Sequence, residues 1–314
     1  MSGDQLWRQR DALQAAGATS FAICRSGEGQ DDRICFGEVG LDTAVELGSI
    51  TKVVTGLLLA VAAAGGEVTL EDPLGRYLTG AGRVGAVTLE SLATHASGLP
   101  RMSAGLLVRA LVRPSDPYLG LTSEKLTRYA SRCRLRPGGS AAYSNIGVAL
   151  LGRALAAAAG ADYWELARER VLGPLGMIHS GDLPDSHTWT SNRLWHTAAV
   201  GPAGGLRGPL RDLHRLATWA RTPSDTPLGR AFEQATTPRS GFGTDQVGLC
   251  WMTRETPMGP VLWHNGGTGS AYAFLASSRT TAVVAGVGSK PSPKYGQALW
   301  RLFEKQDRGV PTSP

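Results

Sequence analysis

Ser49-Ile50-Thr51-Lys52 opens an apolar run from Val53 to Ala64. Lys52 is the only lysine before Lys125, in a chain that otherwise takes its positive charge from arginine. Arginine stays protonated in proteins, whereas a desolvated lysine can lose its proton. A lone lysine three residues after a serine therefore points to Ser49 as a nucleophile and Lys52 as its activator. A helix starting at Ser49 would put both side chains on one face. Its N-terminus would favour an alkoxide or a developing oxyanion. The run has no polar face, which predicts a buried helix that stops at Gly65-Gly66. The plainer reading, that Ser49 or Thr51 merely caps a core helix, is left open by these four residues alone.

Two further clusters have chemistry-bearing types. Tyr143-Ser144-Asn145 follows the turn Arg136-Pro137-Gly138-Gly139 and precedes an apolar helix. Two residues apart on a non-helical stretch, Tyr143 and Asn145 can face one cleft. A tyrosine near cations can lose its proton more easily than its reference pKa of ~10 implies. Tyr143 could then accept the Ser49 proton and return it to a leaving group. Asn145 offers an amide-like substrate both a donor and an acceptor. Alternatively, Asn145 caps the helix and Tyr143 is packing. His264-Asn265-Gly266-Gly267-Thr268-Gly269 ends a C-terminal strand, where glycine permits close approach to the backbone. The amide N–H of Gly267 could pair with that of Ser49 as an oxyanion hole. A tight hairpin turn would explain the same glycines.

The elements that must position these residues follow from periodicity. Asp4 to Ala16 reads as a helix, and Thr19–Cys24 with Arg33–Val39 as a hairpin turning between Ser26 and Asp32. Cys24 and Cys35 would face each other across that hairpin as free thiols. Helices are predicted at Leu89–Thr94, Ser123–Ser131, Ile146–Ala159, Tyr163–Val171, Leu210–Ala220 and Gln297–Glu304. Strands are predicted at Val247–Thr253, Pro260–His264, Ala271–Ser277 and Thr281–Gly288. The expected fold is mixed α/β (α+β). An antiparallel sheet built from both termini, residues 1–66 and 211–314, is flanked by helices and carries an inserted, mostly helical lobe, residues 67–210.

With 42% hydrophobic and 18% charged residues, the 314-residue chain is globular. Its net charge of +6 comes from arginines scattered singly, which argues against a nucleic-acid partner. Cys24, Cys35, Cys133 and Cys250 form no C-x-x-C pair, so neither a metal nor a cofactor is expected. Met1 to Arg10 has no apolar h-region, and Val53–Ala64 is too short to span a bilayer. The expectation is a cytoplasmic protein with no membrane partner.

Taken together, Ser49-x-x-Lys52, Tyr143-x-Asn145 and His264-Asn265-Gly266 resemble the serine β-lactamase and penicillin-recognising superfamily, in its class C β-lactamase, DD-peptidase and family VIII esterase branch. Thr88-Leu89-Glu90-Ser91-Leu92-Ala93-Thr94-His95-Ala96-Ser97-Gly98-Leu99-Pro100, Pro137-Gly138-Gly139-Ser140 and Pro202-Ala203-Gly204-Gly205-Leu206 are similar to segments of that branch. The resemblance implies an acyl-enzyme on Ser49, with Lys52 and Tyr143 moving its proton and Asn145 orienting the substrate. It puts His264, Asn265 and Gly266 at the family's Lys-Thr-Gly place, with an oxyanion hole at Ser49 and Gly267. His264 is expected to be partly cationic near neutral pH, and Asn265 departs from the usual hydroxyl residue. The implied substrate is a small ester or amide, with water or an amine or alcohol as acyl acceptor. A non-catalytic sensor of the same fold is the alternative. His95 is expected to be structural, and His179, His187, His196 and His214 to have no ligand role. Trp189 and Trp195 are weighed as cleft walls against ordinary packing.

Overall fold

The computed structural model describes residues 3–27, 30–113, 116–136, 141–190, 194–257, 259–289 and 291–307. Helix α1 (Gly3–Ala15) precedes the hairpin β1 (Phe21–Gly27) and β2 (Gln30–Phe36) and the short β3 (Ala44–Glu46). A 3₁₀ turn, Gly48–Ile50, leads into α2 (Thr51–Ala64). The helical lobe follows: α3 (Leu89–Ala93), α4 (Ala104–Val112), α5 (Ser123–Ser131), α6 (Asn145–Ala159), α7 (Tyr163–Ala167) and α8 (Gly201–Gly204). The chain returns through β4 (Arg207–Pro209), α9 (Leu210–Trp219) and α10 (Pro227–Thr236). Strands β5 (Ser240–Phe242), β6 (Asp245–Val247), β7 (Met252–Thr256), β8 (Gly259–Gly267), β9 (Tyr272–Ser277) and β10 (Ala282–Val287) come next, and α11 (Pro293–Asp307) follows them.

Among the described residues, eight strands form one sheet in the order β2-β1-β10-β9-β8-β7-β6-β5. Its neighbours pair antiparallel, and β1 lies along β10 with Phe21 opposite Val287. The sheet is therefore built from both termini, as the sequence indicates. Alternation along the strands divides the core. Phe21, Ile23, Phe274 and Val283 meet Leu13 and Leu299 of the terminal helices on one face. Ala22, Ala273, Leu275 and Val284 meet α2, α9 and the helical lobe on the other. Helix α2 is buried along most of its length, and α10, α8 and α6 pack on it. Gly56 makes the approach from the sheet side: a Cβ there would stand 1.9 Å from the Leu249 carbonyl oxygen.

Some boundaries differ from the sequence reading. The predicted strand Val247–Thr253 is broken, because Leu249 N–H donates to Ala235 O (2.7 Å) and Cys250 N–H to Ala93 O (3.0 Å). Those backbone groups are spent on α10 and α3, so the apolar run is a buried turn. The hairpin register sets Cys24 opposite Arg33 and Cys35 opposite Ala22, so the two cysteines are offset by two residues and do not face each other. Helices α4 and α10 escaped prediction although each carries a start signal: Ser103 accepts from Leu106 N–H, and Thr226, before Pro227, accepts from Gly229 N–H. The segment Pro137–Ser140 lies outside the described residues. Among these residues, no single helix is long and apolar enough to cross a membrane.

Candidate active site

Ser49 stands in the 3₁₀ turn where the chain enters α2, at the floor of a cleft of about 290 Å³. Lys52 Nζ is 2.8 Å from Ser49 Oγ and donates to Ala203 O at 2.6 Å. The side chain is fully buried, and burial pulls its pKa from 10.5 down to about 7, with Arg101 adding in the same direction and Cys250 opposing. A large fraction of the amine is therefore unprotonated at neutral pH. The plain capping reading fails here: neither Leu47 nor Ile50 caps through a side chain, and Thr51 Oγ1 turns back to Gly48 O at 2.6 Å.

The Pro202–Leu206 segment explains itself as the clamp on this turn. Besides Ala203 O on Lys52, Pro202 O accepts from Thr55 Oγ1 (2.6 Å) and Leu206 N–H donates to Thr51 Oγ1 (2.9 Å). Three polar side chains in the first two turns of an otherwise apolar helix thus find partners on one short segment. On the opposite side, Gly266 packs flush against the turn: a Cβ there would lie 1.9 Å from Leu47 O and 2.9 Å from Ser49 N. Gly48, at φ +51°, has equally little room, with Gly267 N 2.8 Å from where its Cβ would be. This glycine-on-glycine contact lets the backbones of Ser49 and Gly267 both line the cleft.

Tyr143 stands beside Ser49 and Lys52, whose Nζ lies 4.9 Å from the centre of its ring. Contrary to the sequence expectation, its hydroxyl does not give up its proton readily. Burial raises its pKa well above the usual phenol value, although Ser49 and Arg101 pull the other way. Tyr143 thus stays a phenol at neutral pH. The His95 segment holds it in place: Ala142 N–H donates to His95 O (2.8 Å) and Ser144 N–H to His95 Nδ1 (3.3 Å). His95 itself is buried and neutral, its pKa lowered to about 3 by burial, then by Lys52 and His264. Ser144, not Asn145, caps α6, accepting from Gly147 N–H at 3.0 Å. Asn145 is left free to line the cleft beside Tyr118, with its buried Oδ1 unpartnered among the described residues.

The strand-end residues divide. His264 is buried, and its Nδ1 sits 2.7 Å from Asn265 O, which fixes the proton on Nδ1. Burial, then Lys52, lowers its pKa to about 3, so it is neutral near pH 7 and not the partly charged group expected from sequence. Asn265 does not reach the cleft. With Gly266 against Leu47, the two-residue period of β8 turns Asn265 to the opposite sheet face, where its Nδ2 is 3.2 Å from the Tyr272 hydroxyl.

Several site residues carried no sequence signal of their own. Glu46, buried in β3, accepts from Thr268 Oγ1 (2.7 Å), Ser270 Oγ (2.9 Å) and Trp195 N–H (3.0 Å), tying the turn after β8 to the cleft wall. Trp195 lines the cleft against Tyr118, whereas Trp189 packs over Gly288 and bonds Glu38. Asp116 holds the walls together by accepting from Tyr118 N–H (3.1 Å) while pairing with His196 Nδ1 (2.5 Å). His214 bonds Ser26 and is remote from the cleft. Among the described residues, no cluster of His, Cys, Asp and Glu could hold a metal ion.

A family model described as Beta-lactamase matches residues 4–305, nearly the whole chain. The chain belongs to the beta-lactamase family. Within this family, it is similar to the D-alanyl-D-alanine-carboxypeptidase/endopeptidase AmpH of Escherichia coli (strain K12), 40% identical over 144 residues, covering 44% of this chain and 36% of that protein. The match therefore spans about a third of that relative's length. The fold is that of a class C beta lactamase from Rhodobacter sphaeroides (TM-score 0.83, 18% identity, 97% and 99% of the two chains). It is likewise that of the D-alanine carboxypeptidase AmpC from Burkholderia cenocepacia (TM-score 0.80, 23% identity, 96% and 98%). The family match bears out the expected superfamily, and the structural likenesses bear out the mixed α/β fold.

Proposed function

We propose that this beta-lactamase-family chain is a serine hydrolase that forms an acyl-enzyme on Ser49 with a small ester or amide. The observation that carries the reading is Lys52: a buried amine with a pKa near 7, 2.8 Å from the Ser49 oxygen. One N–H of that amine is committed to Ala203 O, which leaves its lone pair for the Ser49 proton. As Oγ attacks the carbonyl carbon, Nζ takes that proton, and the new oxyanion is held by the amides of Ser49 and Gly267. Tyr143, still a phenol, donates its proton to the leaving group and recovers one from Lys52. Deacylation runs the same path with water as nucleophile. An amide substrate is supported by the unpartnered Asn145 Oδ1, an acceptor for a substrate N–H. The relatives named for carboxypeptidase and endopeptidase activity act on such bonds by their titles, and the proposal extends that bond type to this chain.

The test is intact-protein mass after mixing with activated esters and a penicillin, for the parent and Ser49→Ala. A serine-dependent adduct followed by multiple turnovers is expected. A single lasting adduct would favour a sensor, and no adduct or product across the panel would sink the acyl-enzyme reading. Adding amines or alcohols to the same assay distinguishes a hydrolase from a transacylase. A cytoplasmic location for the activity is part of the proposal, and cell fractionation tests it.

A further inference from the structure

The edge of β8 that borders Ser49 offers a substrate no charge. His264 is buried with its Nδ1–H given to Asn265 O, Gly266 and Gly267 have no side chain, and Asn265 faces the other side of the sheet. Among the described residues that line the cleft, one side chain is ionic: Arg101, and no carboxylate accompanies it. Its guanidinium carbon is 5.6 Å from the centre of the Tyr143 ring, the ring that also lies 4.9 Å from Lys52 Nζ. Arg101 is solvent-accessible, and no ion pair engages it among the described residues. Its backbone is fixed where it matters, because Asn145 N–H donates to Arg101 O at 3.3 Å. Lys52, Tyr143 and Tyr118 lie within its electrostatic reach, none of them an anion at neutral pH. A guanidinium held over an aromatic ring, its fork of N–H donors without a partner among the described residues, matches a planar carboxylate.

Resting on the acyl-transfer reading above, we propose that Arg101 is the anion subsite of this cleft and that the substrate is an acyl compound with a carboxylate near the scissile carbonyl. Arg101 is then the residue that sets specificity, in place of a charge on the strand edge. Its nearness to Lys52 and Tyr143 gives it a second, purely electrostatic influence on rate, so the test must read recognition apart from turnover.

Binding is measured by calorimetry on Ser49→Ala and on Ser49→Ala/Arg101→Gln, with two acid–ester pairs. Monophenyl glutarate and its methyl ester place the carboxylate in the acyl half. O-(phenylacetyl)lactate and its methyl ester place it in the leaving half. For at least one pair the acid is expected to bind ~10-fold tighter than its ester, a preference lost in Arg101→Gln and weakened in Arg101→Lys, where charge remains without the fork. Equal binding of acid and ester in both pairs, or a preference that survives Arg101→Gln, would overturn the proposal. Turnover of both acids and both methyl esters by the parent protein is followed separately. Serine-dependent turnover without acid preference sinks the anion subsite alone, whereas acid preference without turnover of any probe sinks the acyl-transfer reading and leaves the subsite standing.

Discussion

At the scale of single residues, the site is organised around one destabilised amine. Lys52 titrates near 7 in place of 10.5 because it is shut away from water with a hydroxyl and a carbonyl as partners and no carboxylate. The acylation rate at subsaturating substrate should therefore rise about tenfold per pH unit below 7 and level off above it. Lys52→Arg, which cannot release its proton, should lose ~10²–10⁴ in rate with no such profile. A flat profile in the parent would remove Lys52 as the base. The same desolvation bears on stability. Between pH 7 and 10.5 the unfolded lysine holds a proton that the folded one does not, so this group makes the fold more stable as pH rises through that window. Below 7 the full cost of the buried ammonium is present. Lys52→Met should accordingly be more stable than the parent at pH 7, by about 2–4 kcal/mol, with the gap closing towards pH 10.5. Urea unfolding at the two pH values measures it.

At the scale of elements, two short pieces of backbone fix the chemistry: the Gly48–Ile50 turn and the end of β8. They touch through Gly48, Gly266 and Gly267, and a Cβ on residue 266 would overlap the Leu47 carbonyl. Gly266→Ala should push β8 off the turn and separate the two oxyanion amides. The expected loss is ~10²–10³ in turnover with Lys52 still titrating near 7, read from the pH–rate profile. Retained turnover would exclude Gly267 as a donor. This contact also marks where sequence stops being informative. Ser49 and Lys52 were legible because helical spacing alone puts them together, and the glycines because a strand end rarely has so many. Asn265 was legible in principle, since a strand that turns His264 inward must turn its neighbour outward. Glu46 and Arg101 were not, and Ala203 was marked by the resemblance but not as the partner of Lys52. Each reaches the cleft through contacts between segments far apart in sequence, such as Glu46 to Thr268 and Lys52 to Ala203. The charge states of Tyr143 and His264 were hidden for the same reason, because burial by distant segments sets them.

At the scale of the whole molecule, the cleft is polar chemistry held inside a continuous apolar core that joins the sheet to the helical lobe. Two neutral imidazoles are part of that core. His95 and His264 are both buried, and burial with the nearby Lys52 lowers both to about 3. Each also has a buried Nε2 without a hydrogen-bond partner among the described residues. In the unfolded chain both would titrate near 6.5. As pH falls from 6.5 towards 3 the unfolded state takes up protons that the folded state refuses, so the stability present above 6.5 is progressively lost. Each group contributes a slope of roughly 1 kcal/mol per pH unit across that window. His264→Gln keeps a polar side chain at the site and removes one titration. Its stability at pH 6.5 depends on how well the amide packs, but its decline between pH 6.5 and 4.5 should be shallower than the parent's by about that slope. Lys52 does not contribute to the difference, because it is protonated in both states over most of that range. Urea unfolding at several pH values gives both slopes. Parallel slopes would mean that His264 takes up its proton within the folded state, which would make it a cation at the strand edge after all and return to β8 the role assigned here to Arg101.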